Sequence, residues 1–342
     1  MSETPEIPAT ALEVRVAAAP AGSSQRPGLT LAEAPVPVPG PGQVLVRNRY
    51  FHVYAALRTL LAGSVPGAPF PGLNPGDAAI GPAIGEVVSA PAASGLQPGG
   101  LVLHMLGWRE YAVVDAAACE PVDGDLPDPP AYLAQGTTAY AALNQVAPVR
   151  PGDTVFVSGG AGSVGSMAGQ IARLLGAQRV IGSTGSAAKA SWMTGELGYD
   201  AVVIRGAAPL ADQLAKAAPD GLDVVVDTVG AEDLQAAIAT ARPRARIALI
   251  GSLAGQLGPG NGTTSVVELD SFQLIVKQLT LKGYSGGHDP ALVREWRQRF
   301  AGWLRSGQIR FPRTLIPGIA GAPQALEDVV AGRYQGAVIV AL

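Results

Sequence analysis

The sequence predicts an α/β protein in two parts, a β-rich unit of short strands followed by a doubly wound parallel sheet. Three observations carry this. Up to about Pro130, short apolar runs are broken repeatedly by Gly and Pro. After it, apolar runs alternate with segments of helical spacing, the rhythm of a parallel sheet covered on both faces. The 44 glycines and 29 prolines read as turns rather than disorder, because 48% of the 342 residues are hydrophobic and can bury a large core. That length suits about two domains.

In order along the chain, Val44–Arg47 follows the turn Pro39-Gly40-Pro41-Gly42 and reads as a strand. Gly85–Val88, Leu101–His104 and Tyr111–Val114 continue the series, and Pro121–Pro130 marks a boundary. Val155–Ser158 opens the second part, with a helix over Ser166–Leu175 and then a strand at Arg179–Ile181. A helix over Ala187–Leu197 and strands at Val202–Ile204, Val224–Val226 and Ile247–Ile250 repeat the pattern. Ala291–Arg305 is an amphipathic helix whose Leu292, Trp296, Phe300 and Trp303 form one stripe, read as core packing. The tail from Leu315 to Leu342, ending in Ala337–Val340, is expected to fold back onto the first unit.

Gly160-Ala161-Gly162-Ser163-Val164-Gly165 fits G-x-G-x-x-G, and its context outweighs the pattern: it follows a strand and opens a helix. One glycine permits the tight turn, the next admits a pyrophosphate, and the third allows close helix–strand packing. The helix N–H groups and positive dipole end then face the phosphates. A plain structural turn is the alternative. Dinucleotide sites for NAD place an acid about 20 residues on, to hold the ribose 2′-OH. Here Val180–Ser186 holds neither Asp nor Glu. Ser186 reads as an N-cap, and Lys189 follows in a first turn, where the dipole disfavours a cation unless an anion is bound. The 2′-phosphate of NADPH is such an anion, with Arg205 a second candidate to hold it. Two solvated basic residues are the bland alternative.

The exclusions are equally physical. Net charge is −3 and no Lys/Arg run exceeds two residues, so no nucleic-acid footprint exists. No stretch reaches the roughly 18–20 apolar residues of a membrane span. The first residues lack signal-peptide features, so a cytoplasmic protein is expected. Cys119 stands alone, giving no internal disulfide and no cysteine-based zinc cluster; it reads as a small buried hydrophobe.

Gly136-Thr137-Thr138-Ala139-Tyr140, Pro151–Ser158, AGSVGSMAGQIA after them, Ile247–Gly251, Gly107-Trp108 and Gln335–Val340 together resemble medium-chain dehydrogenase/reductases. Within these the chain is most similar to the zinc-independent, NADPH-dependent double-bond reductases, the prostaglandin reductase and alkenal/one oxidoreductase group. The resemblance implies a GroES-like catalytic domain from both chain ends (residues 1–128 and 310–342) around a Rossmann NADPH-binding domain (129–309). It implies hydride transfer to the β-carbon of an α,β-unsaturated ketone or aldehyde, then protonation at the α-carbon. A homodimer pairing through Leu279 to Tyr284 is also implied. Zinc-dependent relatives carry a catalytic Cys and Gly-His-Glu; the matching Ile84-Gly85-Glu86 lacks the histidine.

By motif position, the resemblance assigns Gly160, Gly162 and Gly165, with Ser163 and Val164 between, to the pyrophosphate. Ser186, Lys189 and Arg205 go to the 2′-phosphate, although relatives carry tyrosine at the position of Arg205. Thr228, within Asp227–Gly230, and Gly251-Ser252 lie near the nicotinamide ribose. Tyr284 matches an aromatic position beside the cofactor, and Tyr334 stands where most relatives have asparagine near the nicotinamide. Two segments depart from the family. Val-Asp-Pro-Tyr-x-Arg becomes Val53-Tyr54-Ala55-Ala56-Leu57-Arg58, and the loop Leu253–Val267 holds no tyrosine. If a side chain donates the proton, Tyr54 comes first and His52 next; water is the third source. The altered loop suits a dedicated biosynthetic substrate. Quinone reduction is the rival chemistry, and a cofactor-binding homologue without catalysis is the rival class.

Overall fold

The structure, a computed structural model, describes residues 7–18, 28–61, 63, 71–258, 264–287 and 289–342. Fifteen strands are described: β1 (Thr10–Val16), β2 (Leu29–Pro35), β3 (Gln43–Val53), β4 (Ala83–Ser89), β5 (Leu101–His104), β6 (Tyr111–Asp115), β7 (Glu120–Pro121), β8 (Thr154–Val157), β9 (Arg179–Thr184), β10 (Ala201–Ile204), β11 (Leu222–Asp227), β12 (Ala241–Leu249), β13 (Thr280–Gly283), β14 (Arg313–Pro317) and β15 (Ala337–Ala341). Ten α-helices accompany them: α1 (Leu57–Leu61), α2 (Gly136–Ala141), α3 (Ser163–Leu174), α4 (Ala187–Glu196), α5 (Leu210–Ala217), α6 (Ala231–Thr240), α7 (Leu253–Leu257), α8 (Ser271–Val276), α9 (Pro290–Arg305) and α10 (Ala322–Val330). The fold is α/β, as expected from the alternation of apolar runs.

The first sheet runs β14-β15-β3-β4-β5-β7, with β6 also on β3. It is antiparallel except where β14 and β15 run parallel. The tail does fold back: β15 pairs antiparallel with β3, Val338 opposite Val53 and Ala341 opposite Tyr50. The second sheet is wholly parallel, in the order β10-β9-β8-β11-β12-β13. Counting from its first strand, that is 3-2-1-4-5-6, the order of a doubly wound dinucleotide-binding sheet. β8 is buried at all four positions because helices cover both of its faces, which is why it reads as an unbroken apolar run.

The stripe on α9 is core, as its spacing implied. Leu292, Trp296 and Phe300 are buried, and Trp296 stacks on Phe300 with ring centroids 4.7 Å apart. Cys119 is buried among Val44, Val46 and Val102, where burial pushes its thiol up. β1 and β2, which form a separate two-stranded ribbon, and β13 are elements the sequence patterning did not single out.

Candidate active site

Strand order reverses between β8 and β11, so the crevice for a ligand opens at their carboxyl ends. The glycine loop leaves β8 at that point and runs into α3. Gly162 is exposed at the N-cap and offers no side-chain cap, so the first N–H groups of α3 lack an internal partner. The other glycines are sterically required. A Cβ on Gly160 would meet Met193 and lie 3.1 Å from the Tyr199 hydroxyl, and that hydroxyl donates to the Gly165 carbonyl at 2.7 Å. Val164 packs against the core beneath the loop.

From β11, Asp227 turns inward. Ser158 Oγ donates to its Oδ1 at 2.6 Å, and Gly230 N donates to its Oδ2 at 3.0 Å. Thr228 Oγ1 donates to the Ser158 carbonyl at 2.8 Å, so that hydroxyl is spent on tying the two strand ends together. Leu253 N donates to the Thr228 carbonyl at 3.2 Å, which brings Gly251 and Ser252 beside it. Tyr284 follows directly, its N–H on the Leu249 carbonyl at 2.9 Å.

The first sheet closes over this edge. Gly336 N donates to the Ala161 carbonyl at 2.9 Å, joining the return segment to the glycine loop two residues after Tyr334. The Tyr334 hydroxyl donates to Asp328 at 3.2 Å. Across the same seam His52, on β3 and 2% exposed, places Nε2 3.3 Å from Ser163 Oγ. Gln135 resolves its tautomer. The Gln135 amide nitrogen donates to the Leu133 carbonyl at 3.3 Å, which fixes the amide orientation, and it also faces His52 Nδ1 at 3.4 Å. Nδ1 is therefore the acceptor, Nε2 carries the hydrogen, and Ser163 receives it. Burial lowers the His52 pKa to about 4, so the ring is neutral at pH 7.

Tyr54 lies close by, its ring 6.0 Å from that of His52. Its hydroxyl donates to the Ile80 carbonyl at 3.2 Å, and burial pushes its phenol up. Sequence spacing gave no hint of that partner, 26 residues away.

At the far end of the loop, the expected basic pair is present but engaged. Ser186 occupies the N-cap of α4, yet its side chain makes no cap bond. The Lys189 amine donates to the Gly332 carbonyl on the return segment, leaving two of its three hydrogens. Burial and the nearby Arg205 charge both lower its pKa. Arg205 Nη1 is held by Ser183 Oγ at 3.0 Å and by the Asp233 carboxylate at 3.3 Å. Ser183 and Asp233 escaped the sequence reading, because Asp233 reaches the site from another helix 50 residues on.

A family model described as zinc-binding dehydrogenase matches residues 163–305, and one described as N-terminal domain of oxidoreductase matches residues 13–122. Prostaglandin reductase 1 of Bos taurus is 32% identical over 278 residues, covering 78% of this chain and 82% of that protein. The chain belongs to the medium-chain dehydrogenase/reductase superfamily. The NADPH-dependent curcumin reductase of Escherichia coli (strain K12) is 28% identical over 337 residues, 95% of each chain. Among solved structures, CurA of Vibrio vulnificus superposes with a TM-score of 0.85 at 27% identity, covering 97% of this chain and 98% of that one. A second CurA structure, in complex with NADPH, matches with the same score.

Among the described residues no group of three or more His, Cys, Asp or Glu side chains could hold a metal ion. The residues of this dehydrogenase/reductase do fit NADPH: an uncapped helix N-terminus stands at the switch point, with Lys189 in the first turn of α4 and Arg205 just after β10, its N–H on the carbonyl of Thr184 that ends β9. Among the described residues no helix is long and apolar enough to cross a membrane.

Proposed function

We propose that this protein reduces the C=C bond of an α,β-unsaturated ketone or aldehyde, placing hydride on the β-carbon and a proton on the α-carbon. It is an NADPH-dependent oxidoreductase acting on C=C bonds. The observation that carries the reading is the meeting of His52, Ser163 and the return segment over the glycine loop at the sheet's switch point. The relatives support it by chemistry: 2-alkenal reductase of Nicotiana tabacum and (+)-pulegone reductase of Mentha piperita are among them.

Bound NADPH supplies the hydride. The protein's part is to hold the two reactants and to shed water from their contact. The α3 N–H groups and Gly162 take the pyrophosphate, while Lys189, Ser186 and Arg205 take the 2′-phosphate. Thr228, Gly251, Ser252, Tyr284 and Tyr334 frame the nicotinamide end. His52, neutral and donating through Nε2, holds the Ser163 hydroxyl at the start of α3.

The environment of both side-chain candidates argues for water as the proton source. A neutral imidazole N–H is too weak an acid, and the Tyr54 hydrogen is engaged by Ile80. Tyr54→Phe is therefore expected to change kcat on a good enone by less than about threefold. A loss of about 10²-fold would make the phenol the donor. In the same assay, NADPH consumption over enones, enals, enoyl thioesters and quinones, with products identified by mass, tests the function. Saturation of a C=C bond is expected. Quinol formation alone would establish the quinone reading, and binding without turnover the non-catalytic one.

The segment 253–267, expected as a loop, begins instead with the short helix α7; it forms the substrate side in this reading, and its residues 259–263 lie outside the described residues. A homodimer is supported by the edge strand β13 and by α8 beside it, where Phe272, Ile275 and Val276 stand exposed. A monomer mass by light scattering would remove it.

A further inference from the structure

Arg205 is a cation that the fold has gone to some expense to hold still. Ser183, fully buried near the end of β9, sits at the centre of the arrangement. Its Oγ accepts the Gly159 N–H at 3.1 Å and Arg205 Nη1 at 3.0 Å, and donates its one hydrogen to Asp233. Its carbonyl accepts the Gly160 N–H at 2.9 Å. Asp233, in the first turn of α6 and 1% exposed, sets both carboxylate oxygens against Arg205 Nη1, at 3.3 and 3.4 Å. The Arg205 backbone is fixed as well, its N–H on the Thr184 carbonyl at 2.9 Å. Two elements distant in sequence, β9 and α6, thus converge on one nitrogen.

A buried carboxylate is costly unless paired, and the Ser183 hydroxyl and Arg205 are the partners it has here. The pairing leaves the rest of the guanidinium outward. Nη2 lies 3.9 Å from where a Gly185 Cβ would stand, on the loop that leads to Ser186 and Lys189. In NAD sites the acid at this strand end holds the ribose 2′-OH itself. Here the acid lies behind an arginine, so the surface presented to the adenosine ribose is cationic.

We propose that Asp233, acting directly and through Ser183, is the positioning residue that aims Arg205 at a phosphomonoester on the adenosine 2′-oxygen, so that cofactor selectivity is set from α6. This rests on the reading of Arg205 as a 2′-phosphate ligand. The mechanism is preorganisation. A free arginine loses rotamer freedom when it binds a phosphate, whereas a guanidinium already fixed at Nη1 loses little.

The test is calorimetric, on the whole chain, with NADPH, NADH and adenosine 2′-monophosphate as probes. Asp233→Asn is expected to weaken NADPH and adenosine 2′-monophosphate about tenfold while NADH stays within twofold. Asp233→Ser, which leaves Ser183 and its bond to the glycine loop in place, is expected to do the same and carries the test if Asp233→Asn does not fold. On an Arg205→Ala background, Asp233→Asn is expected to add nothing to the NADPH loss. Equal weakening of NADPH and NADH, or additive losses in the double variant, overturns the positioning role. Arg205→Ala leaving the NADPH-to-NADH ratio unchanged would instead overturn the underlying assignment of Arg205, which separates the two failures.

Discussion

Gly165→Ala is expected to lower NADPH affinity by about 100-fold and to reduce the melting temperature. The added Cβ would land on the Gly159 carbonyl oxygen and 2.7 Å from Gly160 Cα. Both obstacles are backbone, so no side chain can swing aside. The loop must lift from the start of α3, or α3 must move away from β8. Neither is easy. Gly159 is tied by its N–H to Ser183, and Gly160 by its N–H to the Ser183 carbonyl. On the other flank, Tyr199 bonds the Gly165 carbonyl and fills the space beneath Gly160. Overpacking of this kind costs about 1–3 kcal/mol in stability. The loss in binding is larger, because the loop N–H groups must meet the phosphates at hydrogen-bond distance. Calorimetry of NADPH binding together with a thermal scan checks both parts. An unchanged Kd would show that the loop does not carry the pyrophosphate.

The same glycine loop shows why much of this site was legible in the sequence. Gly160, Gly162 and Gly165 solve a problem of close approach within six residues, and such local constraints leave a local pattern. The strands β8 and β11 were legible for a related reason: burial on both faces leaves short apolar stretches, Val155–Val157 and Val224–Val226. Patterning fails where a partner comes from far along the chain. Asp233 is one charged residue in the first turn of a helix, where the dipole alone accounts for an acid. Only its contact with Ser183 and Arg205 distinguishes it from Glu232 beside it, which is exposed. Tyr54 is the converse case. Its position in the substrate-side segment suggested a proton donor, and a backbone carbonyl 26 residues away engages its hydrogen. Lys189 lies between the two. The dipole argument found it from its place in the helix, but not its bond to Gly332, which couples the cofactor end to the return segment.

Stability is expected to fall steeply between pH 6.5 and pH 4, driven by two buried histidines. Burial lowers the His52 pKa from 6.5 to about 4. His104 is lowered to about 4 as well, by burial first and then by the Arg109 charge. Its bonds require the neutral ring: Leu106 N donates to Nδ1 at 3.1 Å, so Nε2–H is the donor to Asn48 Oδ1 at 2.9 Å. The sign follows from proton counts. Between pH 6.5 and 4 the unfolded chain binds a proton at each histidine and the folded chain does not. Lowering the pH therefore favours unfolding, and the stability present above pH 6.5 is lost on the way down. At pH 5.5 the loss is about 1 kcal/mol per histidine, and near pH 4 it reaches about 3 kcal/mol each. Two such losses rival the whole stability of a typical domain, roughly 5–15 kcal/mol. Carboxylates titrate mostly below pH 5, so the window from pH 6.5 to 5 isolates the histidines. Urea unfolding across that window is expected to give a slope averaging about 2 kcal/mol per pH unit, and His52→Phe should halve it. A flat profile there would mean that both rings take up protons in the folded protein. His52 could then carry an imidazolium at the Ser163 seam, and the proton at the α-carbon would have a side-chain source after all.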